Sequence, residues 1–290
     1  MLIDEKLYYV GGVVRDELIN AKSIDTDFCF EGNAINFAKE KKLNIIKTNP
    51  AFGTVRVEID GKEIDIASTR TETYPRKGHL PMVENIGCSL KDDLKRRDFT
   101  INAIAKRTTD NQLIDYFGGI EDIKNKTIRI LHKDSFIDDP TRIIRGLKFS
   151  IRFGFELSED TKSLQDSYLN NINYDMSYHR IKKELIETFN LNSDTAFDKF
   201  VENGVYKLLG EDVICPKIKG KEIQNAIPNT SDNIWFFYIA PFLINQENIN
   251  LPLTRAEKRI IEWVKKLKTQ KITNNTPVES IILKGVLDNV

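Results

Sequence analysis

The chain has 290 residues, and its 43 Lys and Arg are matched by 43 Asp and Glu, for a formal net charge of zero. That length can hold two or three small domains with buried cores. The balance of charge excludes a global basic field, so any surface for nucleic acid must be local. Cys29, Cys88 and Cys215 are odd in number and widely spaced. They form neither a disulfide framework nor a metal-ligand pattern, and they suit a reducing cytoplasm. The longest apolar run, around Ile234 to Ile244, contains Pro241 and is too short to span a bilayer. The charged stretch from Asp4 to Lys6 is not a signal-peptide core, so no membrane association is expected.

The first element is an apolar strand, Tyr8-Tyr9-Val10, which runs into Gly11-Gly12 and then into a helical pattern, Val13 to Ile19. Such a turn gathers free backbone N–H groups at a helix start, which suits an anion, although a Gly pair after a strand can also be only a turn. Arg15, one turn in, can add a bidentate phosphate contact. Next, Ile24 to Phe30 reads as a buried strand on which Asp25 and Asp27 share one face. Two carboxylates about 7 Å apart along a strand repel, and an unpartnered charge is costly to bury. A divalent metal resolves both problems, and oxygen-only ligands favour Mg²⁺. The plain alternative is an edge strand with two solvated Asp.

A helix is expected at Ala34–Lys42 and a short strand at Ile45–Lys47. A hairpin follows: Thr54–Ile59, then Asp60-Gly61, then Lys62–Ala67. Asp65 alternates with Ile64 and Ile66, so it faces away from them. It becomes a third acidic group if this strand lies beside that of Asp25 and Asp27; otherwise it is an ordinary exposed Asp. Residues 74–87 contain Pro75, Gly78 and Pro81 and read as a long flexible loop. In Leu90–Ala103, Arg96 and Arg97 precede an apolar segment, and Asn102 lies four residues after Asp98 on one helical face. Arg97, Asp98 and Asn102 can position a triphosphate and its ribose, or form a solvated charge cluster.

From about Phe136 the pattern is helical. Asp139 suits an N-cap and Pro140 the first helical position. Arg142, Arg145 and Lys148 then recur every three residues as a basic face opposite Ile143, Ile144, Leu147 and Ile151. A capped amphipathic helix accounts for this, but an Asp acceptor beside an Arg donor also complements a nucleobase edge. Further helices are expected at Glu159–Asp166, His179–Phe189, Ser193–Glu202 and Arg255–Lys268. His79, His132 and His179 are isolated, so none is assigned to a metal, and His132-Lys133 is not a His-Asp phosphohydrolase pair.

Four motifs occur in one order: Gly11-Gly12-Val13-Val14-Arg15-Asp16; Asp25-Thr26-Asp27; Asp93-Leu94-Lys95-Arg96-Arg97-Asp98-Phe99-Thr100-Ile101-Asn102-Ala103; and Asp138-Asp139-Pro140-Thr141-Arg142-Ile143-Ile144-Arg145. Together they resemble the bacterial tRNA nucleotidyltransferases (CCA-adding enzymes) and their poly(A) polymerase relatives. The resemblance covers residues 7 to about 190 and fades beyond. It implies an α+β chain: a nucleotidyltransferase head of mixed sheet and helices at 1–133, a helical neck for base recognition at 134–190, and a helical body and tail for tRNA at 191–290.

By that resemblance the chain adds CCA, or part of it, to tRNA 3′ ends from CTP and ATP without a template. Asp25 and Asp27 hold two Mg²⁺ with Asp65 near them. Gly11, Gly12, Arg15 and Arg97 attend the triphosphate, and Asp98 and Asn102 complete that site. Asp139 and Arg142 pair with the incoming base, and Arg145 and Lys148 finish the pocket. The basic helix at 255–268 becomes a candidate tRNA contact. Two positions depart from the family, which usually has Glu at 138 and Arg at 148; Lys lacks the planar bidentate geometry of Arg. The chain is short for the family, so a reduced tail is expected. Partial addition of CC or A, poly(A) synthesis, transfer to a small molecule or protein, and a catalytically silent RNA-binding protein are the rival readings. No protein partner is implied.

Overall fold

The structure, a computed structural model, describes residues 2–22, 27–228, 231–267 and 271–288. It separates into two compact units, residues 1–135 with 156–161, and residues 136–155 with 162–290. The fold is α+β, with a mixed sheet and helices in the first unit and helices in the second.

The first unit begins with β1 (Leu7–Val10), α1 (Gly12–Leu18), β2 (Asp27–Phe30), α2 (Ala34–Glu40) and β3 (Asn44–Asn49). Then come β4 (Thr54–Ile59), β5 (Lys62–Ser68), β6 (Arg70–Thr73), β7 (Met82–Ile86) and α3 (Leu90–Lys95). β8 (Ile104–Arg107), β9 (Leu113–Asp115), α4 (Gly119–Lys124) and β10 (Thr127–Ile128) follow. Seven strands form one sheet in the order β3-β4-β5-β2-β1-β8-β9. Only the central β2–β5 pair is parallel.

The β4–β5 hairpin forms where Asp60-Gly61 predicts it. Asp60 and Gly61 have φ of 52° and 73°, the two positive values that a tight primed turn needs. Alternation along the strands builds two cores. Phe28, Val55, Val57 and Ile66 pack with Phe37 of α2 on one face. Tyr8, Val10, Cys29 and Ala105 pack with Leu90 and Leu94 of α3 on the other. Exposed Asp27, Asp65 and Arg56 alternate with the first of these sets, so they emerge on the second face, past the edge of its core.

Two local expectations are corrected. Residues 74–87 are not one continuous loop, because Met82–Ile86 forms β7 and pairs antiparallel with β6. The interrupted pattern of Met82-Val83-Glu84-Asn85-Ile86 hides it, since a two-stranded ribbon with a register shift at Thr71/Glu72 buries little. Asp98 and Asn102 do not share one α-helix either. Helix α3 stops at Lys95, Phe99 is extended (φ −130°, ψ 154°), and Thr100–Asn102 is a single 3₁₀ turn. Phe99 bridges to Ile130, and that long-range pairing overrides the local helical spacing.

The short β11 (Glu156–Leu157) belongs to the first unit, where it pairs with β10. The second unit is helical, with α5 (Ser135–Asp138), α6 (Thr141–Phe153), α7 (Glu159–Leu169), α8 (Tyr178–Phe189) and α9 (Asp194–Glu202). α10 (Gly220–Ala226), α11 (Ile234–Leu243), α12 (Arg255–Lys266) and α13 (Val278–Asp288) complete it. The apolar run of the sequence is α11, buried almost throughout despite Pro241. Its Tyr238 and Phe242 stack among Phe189, Phe197 and Phe200, with ring centroids 5.2–6.3 Å apart. Among the described residues no helix is long and apolar enough to cross a membrane.

Candidate active site

The first unit contains a cleft of about 470 Å³ on the second face of the sheet. Asp27 and Asp65 stand opposite each other in the register of the parallel β2–β5 pair and both line it. Asp25 lies outside the described residues. On the other side of β2, Tyr9 pairs with Phe28, so Asp27 lies at the end of β1 where the chain turns at Gly11. Asp65 is held bidentately by Arg56, with Nε and Nη2 donating at 2.8 and 2.7 Å, while Nη1 donates to Glu63 at 3.3 Å. The Asp65 carboxylate raises the pKa of that guanidinium further.

Opposite the carboxylates the cleft is lined by arginines anchored from below. Asp93, buried on α3, accepts from Arg96 at 3.0 and 2.8 Å, from Arg97 at 3.1 Å and from the Arg70 backbone N–H at 3.1 Å. Burial opposes ionisation of Asp93, but Arg97 and Arg96 outweigh it and hold its carboxyl below the usual range. Arg70 and Arg96 also share Glu72, at 2.8 and 3.1 Å. Gly11 has φ 69°, and a Cβ there would stand 3.1 Å from Arg97 Nη1. The glycine therefore lets an arginine fork approach the turn. The buried Nε of Arg97 has no hydrogen-bond partner among the described residues.

Arg15 is buried, 4% exposed, and does not line the cleft. Its guanidinium donates to Asp16 Oδ1 at 2.8 and 2.6 Å and to Asn102 Oδ1 at 2.6 Å. Asn102 in turn donates to Asp98 Oδ1 at 2.9 Å. The structure thus joins Arg15, Asp98 and Asn102 in one buried network tying α1 to the 3₁₀ turn.

In the second unit, the expected N-cap is corrected: Pro140 occupies that position with no side-chain cap, because α6 begins at Thr141, and Asp139 stands one residue further out. Its Oδ1 accepts from the Thr141 N–H at 3.2 Å and the Thr141 hydroxyl at 2.6 Å. Its Oδ2 accepts from Arg180 of α8 at 2.5 Å. Arg142 is buried. The basic face of α6 is covered by α8: Arg145 and Lys148 both pair with Glu184, at 3.3 and 2.7 Å, and Lys148 also with Glu187 at 2.5 Å. Arg180 and Glu184 were not foreseen, though their spacing on the expected helix at 179–189 puts them on one face. Lys47, Arg56 and Arg70 in the cleft, and Glu72 and Asp93 that anchor its arginines, were also missed, because only strand pairing and tertiary packing bring them together.

A mixed sheet that sets an acidic pair beside a glycine turn and an arginine-lined cleft, ahead of a helical unit, defines a nucleotidyltransferase fold. Residues 7–129 match the poly A polymerase head domain. The A-adding tRNA nucleotidyltransferase of Aquifex aeolicus is 47% identical over 171 residues, covering 57% of this chain and 20% of that protein. That of Halalkalibacterium halodurans is 31% identical over 291 residues, covering 93% and 66%. A CCA-adding enzyme solved with ATP and with CTP superposes with a TM-score of 0.75 in both cases, at 26% identity. Those superpositions cover 96% of this chain and 72% and 73% of the others. The chain belongs to the bacterial tRNA nucleotidyltransferase and poly(A) polymerase family. It spans about a fifth of the Aquifex protein and 66% of the Halalkalibacterium one.

Proposed function

We propose that the chain is a template-independent tRNA nucleotidyltransferase that extends tRNA 3′ ends with CCA or its terminal part. The observation that carries this reading is the register of Asp27 against Asp65, beside the Gly11 turn and facing anchored arginines. In such a site the terminal 3′-oxygen of tRNA attacks the α-phosphorus of the incoming nucleotide. The bond from that phosphorus to the bridging oxygen breaks, pyrophosphate leaves with the electron pair, and the hydroxyl proton passes to solvent.

Asp27 and Asp65 fit a divalent cation: two hard oxygen donors from adjacent strands suffice for an ion that keeps several waters and shares phosphate oxygens. Among the described residues no group of three or more His, Cys, Asp or Glu is placed to hold a metal ion; Asp25, expected from the sequence as a further ligand, lies outside them. When bound, Mg²⁺ there supplies charge neutralisation and lowers the pKa of the attacking hydroxyl. Arg97 and the Gly11–Gly12 turn orient the triphosphate. Arg15 acts from beneath, fixing Asn102 and α1. Prior positioning and opposing charge are the main sources of rate.

Asp139 and Arg142 select the base, within a helical neck at 134–190 set apart from a tRNA-binding body. On the pairing edge, C and A each present an amino donor next to a ring-nitrogen acceptor, whereas U and G present other patterns, so one Asp–Arg pair accepts both. Arg145 and Lys148, braced on Glu184, keep α6 in place. Addition of A alone is the second reading, favoured by the name of the Aquifex and Halalkalibacterium relatives.

The test offers the protein transcripts of one tRNA ending before the CCA, after C and after CC, each with one nucleoside triphosphate at a time. Incorporation of A onto the CC end and rejection of UTP and GTP are expected. Incorporation of C onto the shorter ends marks full CCA addition, and its absence marks A addition alone. Failure to extend any transcript, or indiscriminate tailing, overturns the reading.

A further inference from the structure

Four charged residues form one row across the sheet. Lys47 of β3 pairs with Arg56 of β4, Arg56 with Asp65 of β5, and Asp65 with Asp27 of β2. Directly paired residues project to the same face, so the row runs cation, cation, acid, acid. A bulge makes this possible. Ile45 pairs with Val57, but the next partner of Arg56 is Lys47 rather than Ile46. The extra residue re-aims the strand and brings a lysine to the cleft face.

The order of strands gives the row its meaning. The Gly11 turn and Arg97 lie on the β1 side of the acidic pair, and Lys47 and Arg56 lie on the β4–β3 side. At about 4.8 Å per strand, Lys47 stands roughly 14 Å from Asp27 along the row. Transfer between two substrates needs one on each side of the carboxylates. The triphosphate is assigned to the glycine side, which leaves the cationic side for the strand that carries the attacking hydroxyl. Thr48, Asn49 and Thr54 line the same end of the cleft and offer polar groups.

From this we infer that Lys47 and Arg56 bind backbone phosphates of the single-stranded RNA 3′ end, guiding it to the acidic pair; the inference rests on the proposed function. Lys47 is exposed and has no ion-pair partner among the described residues. Arg56 is engaged by Asp65 and Glu63, but those pairs are open to water, and exposed pairs of this kind hold weakly enough to be exchanged for a phosphate.

Lys47→Gln is the primary test, because it touches neither carboxylate and alters an exposed edge position. The Michaelis constant for a transcript ending in CC should rise about threefold to tenfold, with kcat and the constant for ATP unchanged. The slope of log affinity for that transcript against log salt should flatten by about 0.7, the value for one contact on a single strand. A transcript trimmed back to its base-paired stem should bind both proteins alike. Arg56→Gln should flatten the slope as well, and Arg56→Lys should restore it. An unchanged constant and slope in Lys47→Gln overturn the inference, as does equal loss with the trimmed transcript. A rise in the ATP constant instead assigns the strip to the triphosphate and overturns it too. If the unaltered chain fails to extend the CC transcript, the proposed function itself fails. If it extends that transcript and Lys47→Gln is indifferent, only the inference does.

Discussion

Asp93 decides how the cleft can hold so many arginines at once. A buried carboxylate with Arg96 and Arg97 on its two oxygens turns flexible side chains into fixed donors, and the arginines in turn keep it ionised despite burial. Removing one member of a buried ion pair is costly, so Asp93→Asn should lower stability by about 3 kcal/mol in urea unfolding. The pH dependence has a definite sign. Asp93 titrates lower in the folded chain than its ordinary 3.8, so its contribution is full above about pH 4 and is lost as the pH falls further. Asp93→Asn should lack that part of the acid limb. In the second unit, Arg180 holds Asp139 in place. Arg180→Gln should relax selection of ATP over GTP about tenfold, consistent with the 1–3 kcal/mol of a good base-reading pair. Unchanged selectivity would detach Asp139 from base recognition.

Among the elements, the turn from β1 into α1 places the heaviest demand on one residue. Gly11 occupies positive φ, and any Cβ there would crowd Arg97. Gly11→Ala should cost about 1–3 kcal/mol of stability from the backbone alone, since φ 69° with ψ −126° suits few residues with a Cβ. It should also lower kcat/KM for ATP at least tenfold, since Arg97 must shift; steady-state kinetics on the CC transcript would show it. This turn, the Asp60-Gly61 hairpin and the helix at 178–189 were legible in the sequence because each rests on local chemistry: positive φ, a two-residue turn, or apolar spacing. The β6–β7 ribbon was not, because Pro75, Gly78 and Pro81 dominate the local pattern and the pairing is made at a distance. The closing of the α6 basic face by Glu184 was also invisible, since it depends on which helix packs there. Of the site, the acidic strands and arginine run could be read directly, but the company each residue keeps could not. Arg15 shows the difference: its position suggests phosphate, and its hydrogen bonds to Asp16 and Asn102 are visible only in the fold.

For the whole molecule, zero net charge hides an uneven distribution. The cleft gathers Lys47, Arg56, Arg70, Arg96 and Arg97 around two carboxylates. Local fields of this kind are screened by salt, so tRNA affinity should fall steeply with ionic strength even though the chain as a whole is neutral. The second unit contributes its own buried aromatic core, with helices α10 and α13 that the sequence reading passed over. Their apolar faces are short or weakly patterned, and they are settled by packing: α10 lies against α9 and α13, and α13 against α12 and α11.

Asp27 is expected to take part in nucleotidyl transfer rather than merely to begin a strand. Single-turnover transfer of radiolabelled AMP from ATP to the CC-ended transcript, in unaltered protein and in Asp27→Asn, tests it most directly. A loss of at least about a thousandfold in the rate of transfer is expected, of the order seen when electrostatic stabilisation of the transition state is removed. Transcript affinity should stay within about twofold, and the circular dichroism spectrum should be unchanged. A variant that folds, binds the transcript and still transfers AMP within tenfold of the unaltered rate would contradict that expectation.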